Sequence, residues 1–251
     1  MRLIINGDDF GITKGVSEGI IKCIKTGVMG DTTAMANMPF FEEAIDMAKN
    51  EGIDKMGIHL TLTCGKPVLP KDEVKSICDE NGNFYRKPDL MPSNIDIKEV
   101  EKELRAQIKK FQDTGMKLNH IDGHHHFYSY NKYVFNLVIK LAKELNVPMR
   151  CPLNDMKYIL DEDNIKCPDY FDNSFYLKNI SLEYLIDRLG KLKKEYDVVE
   201  FMAHPSVDGE EIKDISSYNM IREKELEILT SKEIKEYVLE NNIKIISFSD
   251  L

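Results

Sequence analysis

A chain of 251 residues with a formal net charge of −9 has no basic stripe of the kind a phosphate backbone requires, which excludes a nucleic-acid partner. The apolar run at its start, Leu3–Ile5, is far too short for a signal peptide or a membrane span. The five cysteines form no CxxC pair, which matches reduced thiols rather than a disulfide framework, so we expect a cytoplasmic protein.

Leu3–Asn6 reads as a buried strand that opens into a loop, Gly7-Asp8-Asp9-Phe10-Gly11. Val16, Ile20, Ile21 and Ile24 at helical spacing predict a helix over Thr13–Thr26, stopped by Gly27. Asp31–Ala36 is a second strand, Phe40–Asn50 a helix, and Lys55–Leu62 a third strand that carries His59. Residues 63–94, broken by Pro67, Pro70, Pro88 and Pro92, form a long loop insertion with a turn at Asp79–Phe84. A loop of that length is usually a lid or a substrate wall, so we expect it near the active site.

Ile97–Thr114 is a charged amphipathic helix, and Lys117–Asp122 a fourth strand. That strand runs into Gly123-His124-His125-His126, the densest histidine cluster of the chain. A helix over Asn131–Glu144 and a short strand at Pro148–Cys151 follow. Then come a helix at Leu182–Tyr196, a strand at Asp197–Ala203, a helix at Ser231–Asn241 and a closing strand at Ile243–Phe248. This alternation predicts an α/β fold of mostly parallel strands with outer helices, a barrel or near-barrel spanning 1–251 as one catalytic domain.

In such folds ligands bind at the C-terminal edge of the strands, and the polar residues gather there. Asp8 and Asp9 follow the first strand, His59 lies late in the third, Asp122 and His124 end the fourth, Arg150 ends the fifth, and His204 ends the strand Val198–Ala203. One carboxylate and two imidazoles make a three-ligand metal site that leaves positions for water and substrate. Asp9, His59 and His124 are the candidates. Asp8 is then a spare carboxylate beside the metal, suited to act as general base. His204, reaching in from the far side of the barrel, could protonate a leaving group, and Arg150 could orient a carboxylate by a bidentate pair.

Each residue also has a plainer reading. Asp8 and Asp9 could cap the next helix, His59 could be a hydrogen-bonded core histidine, and His204-Pro205 an ordinary turn. Joint placement at strand ends favours the functional one. On an extended backbone His124 and His126 share a face and His125 opposes them, so all three cannot be ligands. His120, Asp122, His125 and His126 become candidates for supporting the ligands or touching substrate.

Four motifs now stand in order: Leu3-Ile4-Ile5-Asn6-Gly7-Asp8-Asp9-Phe10-Gly11, Gly57-Ile58-His59-Leu60-Thr61-Leu62-Thr63, His120-Ile121-Asp122-Gly123-His124-His125-His126 and Ala203-His204-Pro205. Together they resemble the YdjC-type carbohydrate deacetylases, which include the chitooligosaccharide (diacetylchitobiose) deacetylases. The resemblance extends over Ser217–Ser231, with Tyr218, Arg222, Glu225 and Leu226. It implies a (β/α) barrel-like deacetylase fold related to the NodB-type polysaccharide deacetylases. It implies metal-dependent removal of an N-acetyl group from a sugar, with release of acetate. It places the metal ligands on Asp9, His59 and His124, the base on Asp8 and the acid on His204. The family metal is often magnesium, whereas two imidazoles and one carboxylate suit zinc, manganese or cobalt better. Gly123 stands where some members carry serine.

The partner expected is a small acetylated sugar, with no membrane, and a homodimer is allowed for although no interface is legible. Tyr128, Tyr130 or Phe84 could stack on sugar rings. The rival readings are an amidohydrolase acting on a non-sugar amide and a sugar-binding relative without turnover.

Overall fold

The computed structural model describes residues 1–26 and 28–251; Gly27, the predicted stop of the first helix, lies outside the described residues. The chain runs β1 (Arg2–Phe10), α1 (Lys14–Thr26), β2 (Asp31–Ala34), α2 (Phe41–Asn50), β3 (Lys55–Leu60), α3 (Ile97–Asp113), β4 (Lys117–Gly123), α4 (Lys132–Leu145), α5 (Lys157–Glu162), β5 (Tyr170–Asp172), α6 (Leu182–Leu192), β6 (Val198–Ala203), α7 (Ile221–Thr230), α8 (Lys232–Glu240) and β7 (Lys244–Ile245). The strands form one parallel sheet in the order β4-β3-β2-β1-β6-β5, and β7 pairs with the start of β1. Among the described residues no helix is long and apolar enough to cross a membrane.

The predicted fifth strand at Pro148–Cys151 is reduced to a single bridge, Met149 to Ile121. Even so, this segment curls the sheet. Arg150 N–H donates to Ile121 O on β4, and Met149 N–H donates to Lys166 O, just before β5. Backbone contacts thus lead from one edge strand towards the other, which gives the barrel-like shape. Strand β5 and helix α7 were absent from the sequence reading. Three residues are too few to show a period, and α7 carries charge at buried positions. The closing strand is only Lys244–Ile245, followed by a turn at Phe248–Asp250.

Alternation along each strand sorts the core into two parts. Leu3 and Ile5 belong to the large apolar core that includes Val16 and Ile20 of α1. Ile4 belongs to a small separate cluster with Val198, Ile246 and Phe248. Above that plug, interior positions turn polar: Asn6 and Asp8 on β1, Thr33 on β2, His59 on β3, His120 and Asp122 on β4, and Glu200 on β6, all buried.

The insertion 63–94 is a packed wall. Val74, Ile77, Cys78 and Phe84 are buried. The expected turn between short strands is present, with Cys78 bridging Phe84 antiparallel. Helix α3 ties the wall down: Glu103 accepts from Val68 and Leu69 N–H at 2.8 and 3.0 Å, and Glu99 from Ser76 N–H at 2.7 Å. A cavity of about 700 Å³ lies between it and the strand ends, lined by Thr63, Asn83, Arg86, His124, His125 and Ser217 among others.

Candidate active site

Asp8 and Asp9 lie within β1 rather than in a loop after it. Consecutive strand residues normally face opposite sides. Here the register with β2 shifts between Gly7 and Phe10, and Asp9 takes φ +70°, so both carboxylates turn inward. Asp9 Oδ1 faces His124 Nδ1 at 2.9 Å and His59 Nε2 at 3.4 Å. These three buried residues offer ligand atoms that all lie within 4.8 Å of one another.

The other nitrogen of His59 is committed: Nδ1 meets Asp122 Oδ1 at 2.7 Å. A carboxylate behind an imidazole fixes the ring and directs its free nitrogen to a cation. Asp122 is itself held, its Oδ2 accepting from Thr33 Oγ1 at 3.0 Å and Asn6 Nδ2 at 3.3 Å. The donor set therefore fits a divalent cation. Burial opposes charge on both rings, but the Asp122 carboxylate lifts His59 to about 10 and Asp9 lifts His124 to about 9.

Arg150 makes the bidentate pair expected of it, and the carboxylate is Asp8: Nη1 to Oδ2 at 2.7 Å and Nη2 to Oδ1 at 2.8 Å. The same guanidinium reaches Asp122 at 3.1 Å and Glu200 at 2.6 Å. Burial would raise the Asp8 carboxyl, but Arg150 holds it well below the usual carboxylate range. Asp8, His59 and Asp122 also cluster within metal-ligand distances, but Arg150 already supplies the positive charge there.

His204 does not come from the far side of the barrel. Strand β6 pairs directly with β1, with Ala203 opposite Gly7, and this brings His204 Nε2 to 4.0 Å from Asp8 Oδ2. Glu225 of α7 accepts from His204 N–H at 2.5 Å, and its other oxygen lies 3.9 Å from His204 Nδ1. Burial and the nearby Arg222 push His204 down to about 4, so its ring is neutral at pH 7.

The YdjC-like protein family model matches residues 2–240. This chain belongs to that family. It is 39% identical over 252 residues to the carbohydrate deacetylase of Brevibacillus brevis and 41% identical over 254 residues to that of Clostridium beijerinckii, in each case covering 100% of both chains. A crystal structure from Enterococcus faecalis V583, provisionally named a cellobiose-phosphate cleavage protein, superposes with a TM-score of 0.93 at 35% identity, covering 99% of this chain and 98% of that one. A family 4 carbohydrate esterase from Streptomyces lividans shares the fold alone, with a TM-score of 0.51 at 7% identity over 97% of this chain and 91% of that one.

In this YdjC-like chain the histidine triplet departs from the extended geometry expected of it. His125 and His126 take φ +53° and +50°, so the backbone turns sharply after His124. The His124 and His125 rings lie 4.0 Å apart and both line the cavity, with His125 Nδ1 3.1 Å from Thr63 Oγ1. His126 does not line the cavity; it packs edge-on against Phe171, the ring that the Arg150 guanidinium also covers. His120 points inward one layer below the site, stacked on Phe248 at 3.7 Å and bonded to Asn119. A Cβ at Gly57 would come within 2.4 Å of it, so only glycine leaves room there.

Of the aromatic rings considered for stacking on sugars, Tyr128 is excluded by its burial, whereas Phe84 lines the cavity beside His124 and His125. Tyr128 is fully buried with its hydroxyl on Arg150 O, and Phe84 is 3% exposed. Tyr130 is exposed. Glu200 and Arg222 went unassigned in the sequence. A glutamate inside the apolar run Val198–Ala203 was one legible signal. Another was the helical spacing of Arg222, Glu225, Leu226 and Leu229, all of them buried.

Proposed function

We propose that this chain is a metal-dependent carbohydrate deacetylase that removes the N-acetyl group from sugars such as chitooligosaccharides and releases acetate. The observation that carries the reading is the buried Asp9–His59–His124 cluster with the Arg150-bound Asp8 carboxylate next to it. The names of the full-length relatives point to the same chemistry.

Asp9, His59 and His124 would hold the cation, and imidazole donors favour zinc, manganese or cobalt over the magnesium usual in the family. When bound, such a cation polarises an acetamide carbonyl and acidifies water nearby, which lets even a weak base take the proton. Asp8 is that base. Arg150 fixes both its oxygens, so the carboxylate stays ionised and cannot rotate away. His204, 4.0 Å from Asp8 and neutral, is placed to relay that proton to the departing nitrogen. Asp122 and Asn6 keep His59 and Asp8 in register.

Supporting the sugar over a plain amide is the open cavity of about 700 Å³ beside His124, which suits a substrate of at least one ring. The test is acetate release from di-N-acetylchitobiose compared with simple acetamides, by protein reconstituted with each divalent cation. Turnover of acetamide at equal efficiency would favour a general amidohydrolase. Sugar binding without acetate from any loaded form would favour a non-catalytic role.

A further inference from the structure

We infer that Tyr176 is the platform on which the pyranose ring bearing the acetamide lies, an inference that rests on the deacetylase reading for its substrate class. Tyr176 leaves the C-terminal end of β5, on the ligand edge of the sheet. Its ring stacks on Tyr218 at 4.2 Å with 20° between the planes, and meets His204 edge-on at 5.9 Å. Tyr218 is 3% exposed and its hydroxyl is held by Glu225, so it forms a fixed backing. Tyr176 is half-buried. Tyr218 covers one of its faces, and the proposal assigns the opposite face to the sugar.

The loop that carries it is rigid. Asp172 accepts from Ser174 N–H at 2.8 Å and from its hydroxyl, and Arg188 clamps the other Asp172 oxygen at 2.5 Å. Asn179 donates to Ser174 O at 2.9 Å, and Phe175 is an anchor at 1% exposure. Leu177 beside it takes φ +52° and is 57% exposed.

A free aromatic face is electron-rich, and the axial C–H groups of a pyranose carry partial positive charge, so the two stack. Because the ring is already held by Tyr218, little ordering entropy opposes binding. Because His204 meets the Tyr176 ring edge-on, a sugar seated there would present its acetamide nitrogen toward the residue assigned to deliver the proton. Tyr176 is thus assigned to positioning and specificity, not to the bond-breaking step.

The test is calorimetric binding of di-N-acetylchitobiose to wild type, Tyr176→Phe, Tyr176→Leu and Tyr176→Ala, with steady-state kinetics and melting temperature on each. Tyr176→Phe should bind within about twofold of wild type, while the Leu and Ala variants should lose about tenfold in both Kd and KM, with kcat within about threefold. The Leu variant keeps part of the apolar bulk, and an unchanged melting temperature there separates a lost stacking face from repacking against Tyr218. Unchanged binding in both the Leu and Ala variants, or a loss in kcat alone, would overturn the platform. A wild type that binds the disaccharide but releases no acetate sinks the deacetylase reading and leaves the platform to be judged on Kd. A wild type that does not bind it overturns the platform.

Discussion

Arg222 Nη2 donates to Asp9 Oδ2 at 2.7 Å, which leaves Oδ1 as the Asp9 oxygen that meets both His59 and His124. A guanidinium 213 positions away in sequence therefore sets how Asp9 is presented to a cation. Burial works against charge on Asp9, yet His124 and Arg222 hold it well below its usual range.

The first prediction concerns that pair. Arg222→Gln should cost about 3–5 kcal/mol of unfolding free energy without metal, because it leaves a buried carboxylate short of its counter-charge. A divalent cation replaces positive charge at the same carboxylate. The rise in melting temperature on adding zinc or manganese should thus be larger in Arg222→Gln than in wild type. Equal shifts in the two proteins would show that Arg222 and the cation do not share Asp9.

Asp8 and Arg150 act as a unit. Asp8→Asn should keep the fold and lower kcat by about 10²–10⁴, the range for losing a general base. Arg150→Lys keeps the charge but not the two-pronged contact, so it should lose kcat with little change in KM. Kinetics on an acetylated disaccharide read both, and an Asp8→Asn enzyme with wild-type kcat contradicts the assignment.

Chelation should abolish acetate release, and added divalent cation should restore it. Asp122→Asn removes the carboxylate behind His59 without touching the three proposed ligands, and metal affinity should fall about 10–100-fold. Competition against a coloured chelator measures this without turnover. Unchanged affinity would mean that Asp122 does not orient the ring.

Below the site and 3.8 Å from His120 Nδ1, Asp31 is buried and accepts from Asn119 and from Phe248 N–H. Burial pushes its carboxyl up to about 6 despite those donors. Between about pH 4 and 6 the folded state then holds a proton that the unfolded state has lost, so stability from this group falls as pH rises through that window. The size is on the order of 2–3 kcal/mol. Measured by melting, the stability of wild type relative to Asp31→Asn should fall by this amount across the window, and an unchanged difference between the two proteins would contradict the assignment.

The ligand candidates were legible because a parallel α/β pattern places strand ends together, and carboxylates and histidines stood at those ends. Asp9, His59 and His124 converge in the structure as residue type and strand order suggested. Arg150 was legible as a carboxylate clamp, but which carboxylate it holds was not. Strand β5, three residues long, and the Tyr176 loop after it left no periodic signal.

By itself, the sequence determined the alternation of strands and helices, the edge at which polar groups collect and the residue types available for a metal. Those follow from local periodicity and from the chirality of parallel connections. Tertiary structure decided the rest. It turned Asp9 inward through a positive φ, bent the histidine triplet so that His126 packs on Phe171 while His124 and His125 line the cavity, and set His204 next to Asp8 through the pairing of β6 with β1. It also brought Arg222 onto Asp9 and Glu225 onto His204 from a helix late in the chain. Such choices depend on contacts between residues far apart in sequence, whose energies exist only once the barrel has brought them together.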